Sequence, residues 1–172
     1  MGRDKALLPH PTTGQPLLRR QLDLIATVNP ASRLVSAREG QELPLLPSDV
    51  IRMNDDGSSG PLAGIIAALK VWQGEHLLIV AVDLPQLTTT VLEQLLARDL
   101  DRDCGVYAET PLGPEPLVSI VPATLLPKLA AHLASGDRSP RRLFTGPLAS
   151  QMSSVFFEDT SPFRNWNKPD DI

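Results

Sequence analysis

Apolar residues fall into two rhythms along this chain, one at helical spacing and one in short uninterrupted runs, and the two alternate almost from end to end. Residues 17–28 place Leu18, Leu22 and Ile25 on one stripe, which Leu17, Leu24 and Val28 widen, so they predict an amphipathic helix. A short strand is expected at 33–37. Residues 50–53 form a second strand that leads into the polar, glycine-bearing loop 54–60. Pro61 suits a first helical position, where its missing donor costs nothing, and Leu62, Ile65, Ile66 and Leu69 repeat at helical spacing toward Trp72 with Gly60 as the cap. The run 77–82 is apolar throughout, the pattern of a central parallel strand covered on both faces, and it stops at Asp83. Thr90 and Glu93 have capping-box spacing ahead of Val91, Leu92, Leu95 and Leu96. Strands are expected at 106–109, 117–121 and 155–157. Leu125, Leu126, Leu129 and Leu133 stripe a further helix, Ser139 and Pro140 open a short one, and the tail 165–172 is polar.

Strands alternating with helices predict an α/β sandwich with a mostly parallel sheet, and such sheets take their ligands at the carboxyl ends of the strands. The 172 residues, 42% apolar, suffice for one domain spanning 1–172 and are too few for two ordinary ones; the 17 prolines punctuate singly and form no linker. The 16 basic and 20 acidic residues give a net charge of -4 with no block of like charge. Long nucleic acids and anionic membranes are therefore poor partners, while a few local donors can still hold a small anion. One cysteine, Cys104, no secretory segment and no spanning apolar run point to the reducing cytoplasm, with Cys104 an ordinary thiol at a strand.

Asp83 is the most informative position, because a carboxylate ending a buried strand is placed to hold a hard cation such as Mg2+; the alternative is a plain acidic strand cap. Pro85 stiffens the loop behind it. Lys5, after Gly2-Arg3-Asp4, either neutralises a phosphate or is merely solvated. The stretch Gly60-Pro61-Leu62-Ala63-Gly64 brings a helix N-terminus close to a ligand or simply to a neighbouring strand. Arg138, Arg141 and Arg142 form either a solvated basic face or a contact for a phosphorylated acceptor. His10, His76 and His132 lack zinc spacing, and no nucleophile elbow, Walker loop or metalloprotease helix is present.

In order and spacing these segments resemble the molybdenum cofactor guanylyltransferase family, the MobA-like nucleotidyltransferases. Gly2-Arg3-Asp4-Lys5 resembles the second half of that family's opening phosphate-loop signature, and Gly60-Pro61-Leu62-Ala63-Gly64 its central motif. Asp83-Leu84-Pro85 resembles the metal motif, and Asn165-Trp166-Asn167-Lys168-Pro169 the closing one. Glu115-Pro116-Leu117 falls where the family has a strand lining the acceptor side. The resemblance implies a Rossmann-like three-layer fold that transfers GMP from GTP to molybdopterin with Mg2+ as cofactor and pyrophosphate as product. It gives Lys5 to the nucleotide phosphates, Asp83 to the metal and nucleotide, Asp55 or Asp56 to the guanosine, Gly60 to the nucleotide-binding turn, and Asn167, more than Asn165, to the site. Transient contact with other proteins of molybdenum cofactor synthesis, or with acceptor proteins, is implied too.

Two departures stand out. Ser36 occupies a place where the family has asparagine, and the family's first strand and glycine-rich loop are missing from this chain. A version extended by about a dozen residues is expected to be more stable and more active. The readings left open beside GMP transfer are the same chemistry with CTP or another phosphorylated acceptor, and a non-catalytic nucleotide-binding remnant of the fold.

Overall fold

The computed structural model describes residues 4–55 and 60–166. Asn167 and the residues that follow it in the closing motif, together with Gly2, Arg3 and Asp56, lie outside the described residues. The chain opens with a 3-10 turn at Lys5–Leu7, whose N-cap Asp4 accepts a hydrogen bond from the Ala6 amide. Then come α1 (Leu17–Ala26), β1 (Arg33–Arg38), β2 (Val50–Asp55), α2 (Pro61–Val71), β3 (His76–Val80) and α3 (Thr89–Leu96). The second half holds β4 (Gly105–Thr110), β5 (Gly113–Pro122), α4 (Leu126–Ala134), α5 (Pro140–Thr145) and β6 (Met152–Phe156).

The strands form two sheets. β1 and β2 pair in parallel, and β3, β5, β4 and β6 make a four-stranded sheet in that order. β5 runs antiparallel to both β3 and β4, while β6 is parallel to β4, so β3, β4 and β6 point the same way and β5 alone is reversed. The expected α/β sandwich is present, with a hairpin between β4 and β5 that alternation alone does not announce. Side chains alternate across the four-stranded sheet as the strand period requires. Val106, Ala108, Val118 and Ile120 face α3 and Phe163 in one core. Tyr107, Val121 and Met152 face α2, α4 and α5 in the other, where Leu62, Leu129 and Phe144 are fully buried. α1 covers β1 through Leu18, Leu22 and Val35.

One local expectation fails. The N-cap of α3 is Thr88, and Thr90 already lies within its first turn, so the Thr90 and Glu93 pair does not form a capping box. Burial of Val91, Leu92 and Leu95 fixes the start of this helix in place of a side-chain cap. The Ser139 cap is found: its hydroxyl accepts from the Arg142 amide at the start of α5. Cys104 is half-buried just ahead of β4. Among the described residues no helix is long and apolar enough to cross a membrane.

Candidate active site

The carboxyl ends of β1, β2 and β3 face one cavity of about 680 Å3, lined at its polar mouth by Ser36, Asp55, Gly60, Gly64 and Asp83. Asp83 stands three residues beyond β3, where the apolar run gives way to a loop. That loop is held from several sides. Gln21, buried in α1, donates its side-chain amide to the carbonyls of Ala81 at 3.1 Å and Leu84 at 2.7 Å. The Trp166 amide donates to the Asp83 carbonyl at 2.8 Å, and the Trp166 ring packs against Leu8, Leu17 and Val82. His10 accepts at Nδ1 from the amides of Thr12 and Thr13, which leaves Nε2 to donate to the Pro85 carbonyl at 3.1 Å. Arg20 donates to the Leu87 carbonyl. An aspartate carried on a loop fastened at this many points is oriented before any ligand arrives.

Lys5 reaches this aspartate across the fold. Its Nζ lies 2.7 Å from Asp83 Oδ2, with the lysine side chain 35% and the aspartate 19% exposed. Beside them Asp4 accepts from the Gln41 side chain at 2.7 Å and lies 3.7 Å from the Arg38 guanidinium. The N-terminal turn thus ties the end of β1 to the end of β3.

On the opposite wall, the Ser36 hydroxyl donates to Asp55 Oδ2 at 2.5 Å, joining the ends of the paired strands β1 and β2. Gly64 makes this pair possible. A Cβ there would come within 2.9 Å of Ser36 Oγ and 3.7 Å of Asp55 Oδ2. Gly60, the N-cap of α2, has φ +71, a conformation that favours glycine, and Pro61 follows as the first helical residue. The Ala63 amide donates back to the Gly60 carbonyl at 3.1 Å, closing the first turn of α2 beside the same mouth.

The structure brings Lys5 and Asp83 into contact and sets Asp55 and Gly60 on the same cavity. Asn165 is exposed, next to the buried Trp166. The arginines have local partners: Arg142 pairs with Asp137 at 2.7 Å and Arg141 donates to the Pro114 carbonyl at 2.7 Å. Glu115, on β5 beside this cluster, has its carboxyl pushed up by burial, with the Arg141 charge pulling the other way. Among the described residues no group of three or more His, Cys, Asp or Glu could hold a metal ion. Sequence reasoning missed Gln21. Its signal was available, a lone polar residue among the buried leucines of α1.

Comparison with known proteins fits this geometry. The family model for the MobA-like NTP transferase domain matches residues 1–153. The molybdenum cofactor guanylyltransferase of Pseudomonas paraeruginosa is 32% identical over 178 residues, spanning 98% of this chain and 84% of the relative. Among solved structures, the molybdopterin-guanine dinucleotide biosynthesis protein A of Archaeoglobus fulgidus superposes with a TM-score of 0.66 at 20% identity, covering 99% of this chain and 87% of the other. The 2-C-methyl-D-erythritol 4-phosphate cytidylyltransferase of Thermus thermophilus gives 0.64 at 19% identity, covering 97% and 89%.

Proposed function

Because the chain belongs to the MobA-like NTP transferase family, a family of nucleotidyltransferases, we propose that it transfers GMP from GTP to molybdopterin, releasing pyrophosphate, and does so as one domain in the cytoplasm. The observation that carries this reading is the contact of Lys5 Nζ with Asp83 Oδ2, 2.7 Å, at the end of β3 in the mouth that also holds Asp55 and Gly60. A cation and a carboxylate side by side at a strand end suit a triphosphate bound with a divalent metal.

Asp83 is the residue that would hold Mg2+. The donor set fits, since Mg2+ is commonly bound through one or two carboxylates with phosphate oxygens and water completing its shell. When bound, the ion neutralises charge on the phosphates. Lys5 releases Asp83 and turns its ammonium to the phosphates, taking up the negative charge that grows on the leaving pyrophosphate. Gly60 is the residue of the nucleotide-binding turn, and its glycine-favouring conformation sets the start of α2 at the mouth. Asp55, steadied by Ser36, accepts from the N1 and 2-amino groups of guanine. Asn167 is assigned to the nucleotide by the closing motif. No covalent nucleophile is needed: the terminal phosphate of molybdopterin attacks the α-phosphorus, an oxygen-phosphorus bond forms as the bond to pyrophosphate breaks, and catalysis rests on alignment and charge.

The test is transfer of label from α-phosphate-labelled GTP to molybdopterin in the presence of Mg2+, for the wild type and Asp83→Ala. GMP should appear on molybdopterin with the wild type, and label should stay in GTP with the variant. Equal transfer from CTP, or none from GTP, would overturn the assignment.

A further inference from the structure

Arg38 is the last residue of β1 and stands directly opposite Asp55 in the parallel pair with β2. Residues in register across such a pair share one face of the sheet, and Ser36, two positions earlier, shares it too. All three line the same cavity. The backbone of Arg38 is held on both sides: its amide donates to Gln41 Oε1 at 2.9 Å, and its carbonyl accepts from the Gln41 amide at 3.1 Å and from Arg52 at 3.0 Å. Its guanidinium is not held in this way. The side chain is 63% exposed, and the acid it approaches, Asp4, lies 3.7 Å away, beyond hydrogen-bonding distance. Asp4 has closer donors in the Ala6 amide at 3.0 Å and the Gln41 side chain at 2.7 Å. Among the described residues the fork of Arg38 therefore makes no hydrogen bond, whereas Arg20, Arg33, Arg52, Arg141 and Arg142 each donate to a partner.

We propose that Arg38 is a specificity-determining residue, which donates to O6 and N7 of the guanine base. This inference rests on the assignment of Asp55 to that base. Guanine presents two donor groups, N1 and the 2-amino group, and on the adjoining edge two acceptors, O6 and N7. A carboxylate can serve only the donors. The Ser36 hydroxyl directs its proton to Asp55 Oδ2, so the acceptors call for a different donor on this face of the paired strands. A guanidinium fork matches O6 and N7 with two hydrogen bonds, and Arg38 is the cross-strand neighbour of Asp55 that carries one. Adenine sets an amino group where guanine has O6, which opposes the same fork, and a pyrimidine has no N7. Arg38 thus adds rejection of ATP and CTP to the contacts that Asp55 makes.

The test is calorimetric titration of the wild type and Arg38→Met with GTP, 7-deaza-GTP, 6-thio-GTP and ITP in the presence of Mg2+. The first analogue lacks the N7 acceptor, the second puts a weakly accepting sulfur in place of O6, and ITP lacks only the 2-amino group that Asp55 serves. The wild type should bind GTP more tightly than 7-deaza-GTP and 6-thio-GTP by about fivefold or more, the lower end of the range for such a pair. In Arg38→Met the three should draw level while the ratio of GTP to ITP persists, and melting should be unchanged because the side chain is exposed. Equal binding of GTP, 7-deaza-GTP and 6-thio-GTP by the wild type would overturn the proposal. So would an equal loss of affinity for all three in Arg38→Met, which is the result for an arginine that meets only phosphate. Equal binding of GTP and ITP by the wild type would instead remove the Asp55 assignment, and the proposal with it.

Discussion

Lys5 Nζ and Asp83 Oδ2 meet at 2.7 Å although 78 positions separate them in the chain, and this contact joins the N-terminal turn to the end of β3. The pair is partly exposed, so its contribution to stability is small, about 0–1 kcal/mol. Its chemical contribution is not small if the ammonium meets phosphate in the transition state. Lys5→Gln should therefore lower GMP transfer by roughly 10²–10³-fold, the scale for removing one preorganised donor to developing charge. The melting temperature should hardly move. Labelled transfer and thermal melting on the same preparation check the two halves, and a parallel fall in both would make the pair structural.

The Ser36, Asp55 and Gly64 cluster gives a prediction about base choice. An Asp55 carboxylate accepting from N1 and the 2-amino group distinguishes GTP from ITP, which lacks that amino group. Asp55→Ala should weaken GTP binding by about 10–100-fold, the range for a hydrogen bond to a charged group, and bring GTP and ITP close to equal. Gly64→Ala separates base binding from folding. Alanine is the better helix former by about 1 kcal/mol, yet its Cβ would crowd the Ser36 hydroxyl at 2.9 Å and turn it from Asp55. Titration of GTP and ITP by calorimetry should show reduced preference for GTP with melting held or raised.

What could be read in the sequence was the part set by local periodicity. Leu18, Leu22 and Ile25 marked α1, and the apolar run ending at Asp83 marked β3 and the carboxylate beyond it, because side-chain spacing follows directly from helix and strand geometry. The approach of Lys5 to Asp83 depends on the tertiary path of the chain, and only the order of motifs pointed to it. The break between β1 and β3 follows from pairing, which single-strand patterns do not encode. The α3 start was misplaced because capping-box spacing at Thr90 and Glu93 is a local signal that burial of Val91 and Leu95 overrode.

Gln21 tests whether the Asp83 loop must be held. Gln21→Leu fits the apolar surroundings but leaves the Ala81 and Leu84 carbonyls without their side-chain donor, at a cost of about 1–3 kcal/mol for each one left unsatisfied. Chemical denaturation should show that loss. Transfer activity measured well below the melting range should fall too, because Asp83 sits between the two carbonyls. Full activity in a destabilised Gln21→Leu would show that Trp166 and Lys5 suffice to place the aspartate.

Two carboxylates near α5 predict pH effects of opposite sign. The Arg142 guanidinium, with the Ser139 amide, holds the Asp137 carboxyl far below the usual aspartate range. A folded-state pKa below the unfolded one stabilises above the unfolded value, near pH 4, and that contribution is lost as pH falls through the depressed value. Asp137→Asn should thus melt lower than the wild type at about pH 7, with the gap closing in acid. Glu115 behaves in reverse. Burial raises its carboxyl above the usual range despite the opposing charge of Arg141, so its favourable contribution is present below the unfolded pKa and lost as pH rises through the folded one. Glu115→Gln should melt higher than the wild type at about pH 7 and approach it below about pH 4. Melting curves of the three proteins across that window decide the matter: the variants should flank the wild type at neutral pH and converge on it in acid, and a Glu115→Gln protein that melts lower at neutral pH would mean that attraction to Arg141 outweighs burial.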